Sequence, residues 1–191
     1  MSSSEPIRIV AIGGSVRPGN FTMKALRVVT DHLETLDGVT VETVDPASVE
    51  WPLPGREGGG DALVRVQEQV REATGVILAT PEYHGSVSSV LKLVIENLGF
   101  PSVLAGKPIA LLGVAAGAIG AIQSLGQLRM IGSHIGGIVL PGAVSVAGVH
   151  AQFDEAGNCT DEGTGKRLQG LGDGLVEYIH GAVLPRLSRE G

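Results

Sequence analysis

Five short apolar runs punctuate the chain, at residues 7–12 (IRIVAI), 39–44 (VTVETV), 76–79 (VILA), 109–114 (IALLGV) and 138–140 (IVL). Four are nearly continuous, the pattern of strands covered on both faces, where inside-outside alternation is lost. Between them, apolar residues recur at helical spacing. Leu26, Val29, Leu33 and Leu36 predict one helix, and Leu63, Val66 and Val70 a second with Asp61 as its N-cap. Val87, Val90, Leu91, Val94 and Leu98 predict a third, with Lys92 and Glu96 on another face. Ile122, Leu125 and Leu128 predict a fourth, and Leu168, Leu171, Leu175, Ile179 and Leu187 a last.

Strand and helix thus alternate to the end, and right-handed crossovers leave few parallel arrangements for that order. A five-stranded doubly wound sheet of spatial order 2-1-3-4-5 is the common one. Its strand order reverses between strands one and three. The loops at residues 13–22 and 80–87 then flank a crevice at the carboxyl edge of the sheet, where such folds bind ligands. Residues 46–60 and 143–165 show no usable periodicity and are expected to be loops. Residues 1–6 are expected to be a disordered tail, and 7–191 a single domain.

Composition narrows the chemistry. Apolar residues make up 43% of the chain but aromatics only 3%, with 29 glycines, so the core must come from Val, Ile, Leu and Ala packed close to backbone. The net charge of −6 and the lack of a Lys/Arg run leave no footprint for nucleic acid. A single cysteine, Cys159, builds neither an intramolecular disulfide nor a zinc site, which suits a reducing cytoplasm. No apolar run approaches a membrane span, and the scattered His32, His134, His150 and His180 suggest no metal site.

The first loop, GGSVRPGNFT from Gly13 to Thr22, follows a buried strand and opens a helix, so its backbone N–H groups and the helix dipole converge where an anion can sit. Ser15, Asn20 and Thr22 add neutral donors and Arg17 a fork-shaped cation suited to phosphate oxygens. Taken alone, the same segment is equally a turn whose Ser and Asn cap the helix. Asn20 occupies the position where a nucleotide-hydrolysing loop needs Lys, and the glycines miss the G-x-G-x-x-G spacing of dinucleotide folds. A single terminal phosphate fits better.

The second loop, Thr80-Pro81-Glu82-Tyr83-His84-Gly85-Ser86, stands opposite. With Gly14-Ser15-x-Arg17, Asn20 and Thr22, and with the glycine-containing turn AAGAIG at 115–120, it makes the chain resemble the NADPH-dependent FMN reductase family over residues 7–187. That family is a flavodoxin-like α/β group, a three-layer sandwich, that includes quinone, azo-dye and chromate reductases. The resemblance implies that Ser15, Arg17, Asn20 and Thr22 hold the FMN phosphate. It further implies that Pro81, Glu82, Tyr83, His84, Gly85 and Ser86 lie at the isoalloxazine edge, largely through backbone groups, and that Ala116, Gly117 and Gly120 close the pyrimidine side. It implies NADPH or NADH as co-substrate, a homodimer or homotetramer with the flavin near a subunit boundary, and a ping-pong cycle ending on a quinone, free flavin, azo or metal-oxyanion acceptor.

In such an enzyme the flavin carries the chemistry, so no catalytic acid or base is expected. The chain departs from the family pattern at three places: His84 where Asn is usual, Asn20 where Ser is common, and a third turn without its usual hydroxyl. A histidine at position 84 offers a route to pH-dependent flavin behaviour. The alternative from another class is a flavodoxin-type FMN electron carrier without pyridine-nucleotide activity, and a further one is a flavin-free interaction protein. Lys92 and Glu96 are spaced as a surface ion pair. Cys159 reads as an incidental thiol, Trp51 as either a flavin shield or a core edge, and Arg56 as either a nucleotide-phosphate contact or a solvated loop charge.

Overall fold

The computed structural model describes residues 6–190. Its elements in chain order are β1 (Ile7–Ile12), α1 (Phe21–Leu33), β2 (Val39–Val44), α2 (Gly60–Glu72), β3 (Gly75–Tyr83), β4 (Ser86–Val87), α3 (Ser89–Glu96), β5 (Pro108–Val114), α4 (Ile122–His134), β6 (Ile138–Val139), β7 (Val144–Val146) and α5 (Glu162–Tyr178). A π-helical turn, Ile179–Val183, leads into α6 (Leu184–Glu190). The tail expected over 1–6 lies outside the described residues except for Pro6, which is exposed.

The parallel sheet runs β2-β1-β3-β5-β6, the order the five apolar runs predict. Two short strands add to it. β4 pairs antiparallel with the end of β3, and β7 resumes the edge position, pairing Leu112–Val114 of β5 after β6 has paired Pro108 and Ile109. The edge breaks at Pro141, which has no N–H to donate, and at Gly142, whose φ of +80° lies outside the strand region. The expectation of a structureless 143–165 is therefore corrected: it contains β7, a 3₁₀ turn at Val149–Ala151 and the start of α5.

Strand residues alternate between two apolar layers. Ile7, Ile9 and Ala11 of β1 with Ile77 and Ala79 of β3 pack against Leu26, Val29 and Leu33 of α1 and Leu168, Leu171 and Leu175 of α5. Val10, Ile12, Val76 and Leu78 face the other way, onto Val66 and Val70 of α2, Leu91 and Val94 of α3, and Leu125 and Leu128 of α4. Each fully buried Leu, Ile or Val contributes about 1.5–3 kcal/mol, and the two layers fix the sheet between helices on both sides.

Several boundaries differ from the predicted ones. α2 is capped by Gly59, with φ +83°, and not by Asp61, which lies exposed in the first turn. Leu36 falls beyond the end of α1, and Val87 belongs to β4. Ile122 and Leu187 sit on their helices but face outward, 56% and 42% exposed. No helix among the described residues is long and apolar enough to cross a membrane.

Candidate functional site

At the carboxyl end of β1 the chain leaves the sheet through residues 13–20, and Gly14 sets how closely it passes β3. A Cβ on Gly14 would lie 2.6 Å from the Ala79 carbonyl oxygen and 3.0 Å from the Leu91 Cβ, so only glycine fits. Asn20 caps α1, its side-chain oxygen accepting from the Met23 amide at 2.9 Å. Its amide nitrogen donates back to the Arg17 carbonyl at 2.8 Å. Asn20 therefore shapes the loop with both ends of its amide. Ser15 and Thr22 are buried, and the Ser15 hydroxyl oxygen accepts from the Arg17 N–H at 3.4 Å.

Arg17 is exposed, with its guanidinium 4.7 Å from the centre of the Tyr83 ring. Among the described residues no carboxylate pairs with Arg17 or Lys24, the latter lying over Phe21 at 4.6 Å. A cavity of about 570 Å³ runs past this loop, lined by Ser15, Arg17, Asn20, Lys24, Arg27 and Asp45 among others.

The predicted second loop is largely strand. β3 continues through Thr80, Pro81, Glu82 and Tyr83, turns at His84-Gly85, and returns as β4 with Tyr83 opposite Ser86. His84 (φ +50°) and Gly85 (φ +69°) both have left-handed backbone, as a two-residue type I′ hairpin requires. Asn-Gly is the favoured pair there, and His is among the few other side chains that enter this region. The backbone, more than the ring chemistry, thus accounts for an Asn-or-His position before Gly85.

Buried hydroxyls lock the hairpin to the first loop. Ser88 donates to the Gly14 carbonyl at 2.6 Å and accepts from the Leu91 amide at 3.1 Å, capping α3. Thr80, fully buried, accepts from the Ser88 amide at 3.1 Å and donates to the Pro81 carbonyl at 2.8 Å. The third turn, 115–120, is fixed in the same way. Gly120 has φ +80°, and the Ser145 hydroxyl oxygen from β7 accepts from the Ala121 amide at 2.8 Å. The turn itself carries no hydroxyl, and Ser145 of β7 ties its end to the sheet edge. Ala116 and Gly117 are exposed, and the Gly117 carbonyl accepts from Gly148 at 3.0 Å.

The side chains of Glu82 and Ser86 are turned toward α4. Glu82 Oε2 accepts from the Gln123 and Ser124 amides, each at 3.0 Å. Ser86 donates to Gln127 Oε1 at 2.7 Å, and Gln127 Nε2 donates to the Gly85 carbonyl at 3.2 Å. With those two side chains turned away, the hairpin is left with its backbone, the Tyr83 ring against Arg17 and the exposed His84 ring. Ser88, Gln127 and Ser145 are site-building residues that sequence reasoning passed over, and Thr80 figures there only as part of the second loop, without a role of its own. Ser88 carried a visible signal, a Ser just ahead of a helical stripe.

The remaining candidates resolve plainly. Trp51 packs on the core edge and its indole N–H donates to the Pro46 carbonyl at 2.9 Å. Arg56 is exposed on its loop. Lys92 and Glu96 form a half-exposed ion pair. His32 bridges α1 to α5 through Asp173 at 2.7 Å. Cys159 donates weakly to the Asp161 carbonyl in the 147–161 loop. The Asn158 side chain holds the Asp154 carboxyl below its ordinary pKa, and the Thr164 amide does the same for Asp161.

One sheet edge thus gathers a helix head with a cation not paired to any carboxylate, a backbone-presenting hairpin and a glycine-bearing turn. This donor set fits a phosphate monoester carrying a flat polar ring: amides and one guanidinium for the dianion, backbone groups for the ring heteroatoms. The comparisons agree. Residues 7–151 match the model of the family described as NADPH-dependent FMN reductase. The chain is 32% identical to an NADPH azoreductase of Bacillus sp. (strain OY1-2), over 79% of this chain and 83% of that one. It is 30% identical to a quinone reductase of Escherichia coli (strain K12), over 92% and 97%. Among solved structures it superposes on the flavoenzyme FerB, an NAD(P)H:(acceptor) oxidoreductase from Paracoccus denitrificans, with a TM-score of 0.76 at 22% identity, covering 91% of this chain and 97% of that one. A flavodoxin from the domain Archaea gives 0.63 at 12% identity, over 91% and 99%, which places the fold among the flavodoxin-like ones. The chain belongs to the NADPH-dependent FMN reductase family, and is an oxidoreductase that uses FMN and NAD(P)H.

Proposed function

We propose that this chain passes electrons from NAD(P)H to a small-molecule acceptor, a quinone, azo dye, free flavin or metal oxyanion, in a ping-pong cycle. The observation that carries the reading is the stacking of Arg17, at the head of α1, on Tyr83 of the hairpin, which brings the two loops to the same crevice. FMN held there would supply the redox chemistry, hydride acceptance from the nucleotide and transfer of the two electrons to the acceptor, with protons exchanged with solvent.

The protein's part is placement. The backbone N–H groups of the loop before Asn20, Pro18 having none, together with Arg17 and the hydroxyls of Ser15 and Thr22, hold the phosphate, with Asn20 keeping the loop in shape. The backbone of Pro81, Glu82, Tyr83, His84, Gly85 and Ser86 meets the ring edge, and Ala116, Gly117 and Gly120 close the far end without side chains that block stacking. Residues 7–191 act as one unit in a cytoplasmic setting, which a lone cysteine suits. The carrier reading is disfavoured because the curated relatives are reductases. Anaerobic mixing of the FMN-loaded protein with NADPH distinguishes the two. Rapid loss of the visible flavin absorbance, followed by recovery on adding a quinone, is expected of a reductase, whereas an unbleached flavin is the carrier's result.

The same enzyme is a homo-oligomer through the outer face of α4. Its inner face buries Leu125 and Leu128, yet Ile122 and Met130 are 56% and 66% exposed, with Gly126 between them. Phe100 and Ile119 extend the apolar surface, and a cavity of about 880 Å³ between α3 and α4 is lined by Ile95, Phe100, Pro101, Met130, Ile131 and Ile135 among others. Apolar surface on this scale marks an interaction site, and Gly126 leaves room for a second helix to approach closely. A Met130→Glu variant is expected to sediment as a monomer at concentrations where the parent is dimeric or tetrameric. Unchanged sedimentation contradicts this face.

A further inference from the structure

The side chain of Glu82 has a role that the flavin contacts do not explain. α4 begins at Ile122 after Ala121, which offers no capping side chain, so its first amides point into the region beside the third turn without a local partner. Glu82, forty-one residues before Gln123 in sequence, reaches across from the end of β3 and accepts from the Gln123 and Ser124 amides with a single oxygen, each at 3.0 Å. One turn later Gln127 returns the connection, holding Ser86 at 2.7 Å and the Gly85 carbonyl at 3.2 Å. On the other side, Ser145 holds the Ala121 amide at 2.8 Å. The hairpin, the head of α4 and the turn 115–120 therefore form one hydrogen-bonded body. Within it, a carboxylate sits on the positive end of a helix dipole.

We propose that Glu82 is a positioning residue that pins the head of α4 to the hairpin and, through its charge there, lowers the reduction potential of the bound flavin. The inference rests on the FMN reading above, in which turn 115–120 closes the pyrimidine end of the ring. An uncompensated helix N-terminus at that end favours negative charge, and reduction adds negative charge to the ring system. With the Glu82 carboxylate on the helix head, that attraction is largely cancelled, so the oxidised form is favoured. The spacing between hairpin and turn is held by the same two hydrogen bonds.

Two variants separate charge from position. Glu82→Gln keeps an acceptor oxygen and removes the charge, whereas Glu82→Ala removes both. In the apoprotein, hydrogen exchange at Gln123 and Ser124 is expected to stay slow in Glu82→Gln and to become fast in Glu82→Ala. Slow exchange in Glu82→Ala overturns the positioning role. In the FMN-loaded protein, dye-coupled redox titration of Glu82→Gln is expected to show reduced flavin favoured over oxidised by about tenfold more than in the parent, an upward shift of ~30 mV for the two-electron couple. An unchanged or lower midpoint overturns the electrostatic role. If the parent apoprotein takes up no FMN, the functional reading fails, and the exchange result still stands or falls by itself.

Discussion

Replacing Gly14 by alanine is expected to be among the most damaging single changes in the molecule. The new Cβ would meet the Ala79 carbonyl oxygen at 2.6 Å, the Leu91 Cβ at 3.0 Å and the Ser88 hydroxyl at 3.1 Å. Two of these three belong to a strand backbone and to the root of a side chain, which do not swing aside. The first loop must therefore lift off β3. The cost is about 3 kcal/mol, the upper end of overpacking penalties, because backbone has to move. The lifted loop also loses the Ser88 bond to the Gly14 carbonyl, so FMN uptake should fall with stability. Urea unfolding and fluorescence titration with FMN check both. By contrast Gly19, with open space around a built Cβ but φ +64°, should lose stability through backbone strain alone when replaced by alanine.

Ser88→Ala is the second large effect. One hydroxyl serves as the N-cap of α3, accepting from the Leu91 amide, and as donor to the Gly14 carbonyl, while the bond from the Ser88 backbone amide to Thr80 is kept in the variant. Losing a cap costs ~1 kcal/mol, and leaving a buried carbonyl without its donor costs a further 1–3 kcal/mol, for about 2–4 kcal/mol in all. Because the hydroxyl joins the two halves of the crevice, FMN affinity should fall beyond what global destabilisation explains. Ser89→Ala, one residue on and exposed, serves as the control and should be nearly neutral. Equal urea midpoints for the two variants would contradict the clamp.

The parallel order of the sheet was legible because each central strand is buried on both faces and so reads as an unbroken apolar run: VILA in β3 and IALLGV in β5. The parts that escaped have short or polar sequences. β4 is two residues long, β7 is three, and β3 extends over Thr80, Pro81, Glu82 and Tyr83, whose composition is that of a turn. They are strands because cross-strand bonds to neighbouring elements hold them, a tertiary cause that local pattern does not carry. Asp61 satisfied the residue preference for an N-cap, yet the chain enters α2 through three glycines with positive φ, at 58, 59 and 60.

The same division runs through the site. Two of the three segments were legible because loops after strands one and three must flank the reversal of a doubly wound sheet, and the third, at 115–120, only through the resemblance to the family. Side-chain directions were not. Glu82 looks in sequence like part of a ligand-facing cluster, but its carboxylate finds the amides of Gln123 and Ser124. Asn20 looks like a phosphate donor, but its amide is consumed by Met23 and Arg17. In both cases backbone groups without a partner in their own segment captured the polar side chain, as buried or helix-terminal amides and carbonyls must be satisfied. Ser145, 24 residues after Ala121, shows the same effect at the third turn.

Comparative titration of the apoprotein with FMN and with riboflavin, which lacks only the phosphate, tests the cradle at the head of α1 most directly. Two charge-assisted hydrogen bonds at ~1.5 kcal/mol each give FMN an advantage of about a hundredfold in dissociation constant. Arg17→Ala should remove on the order of tenfold of that advantage while leaving riboflavin binding unchanged. Equal affinities for the two flavins, or an Arg17→Ala variant with the full preference for FMN, would contradict a phosphate held by this loop.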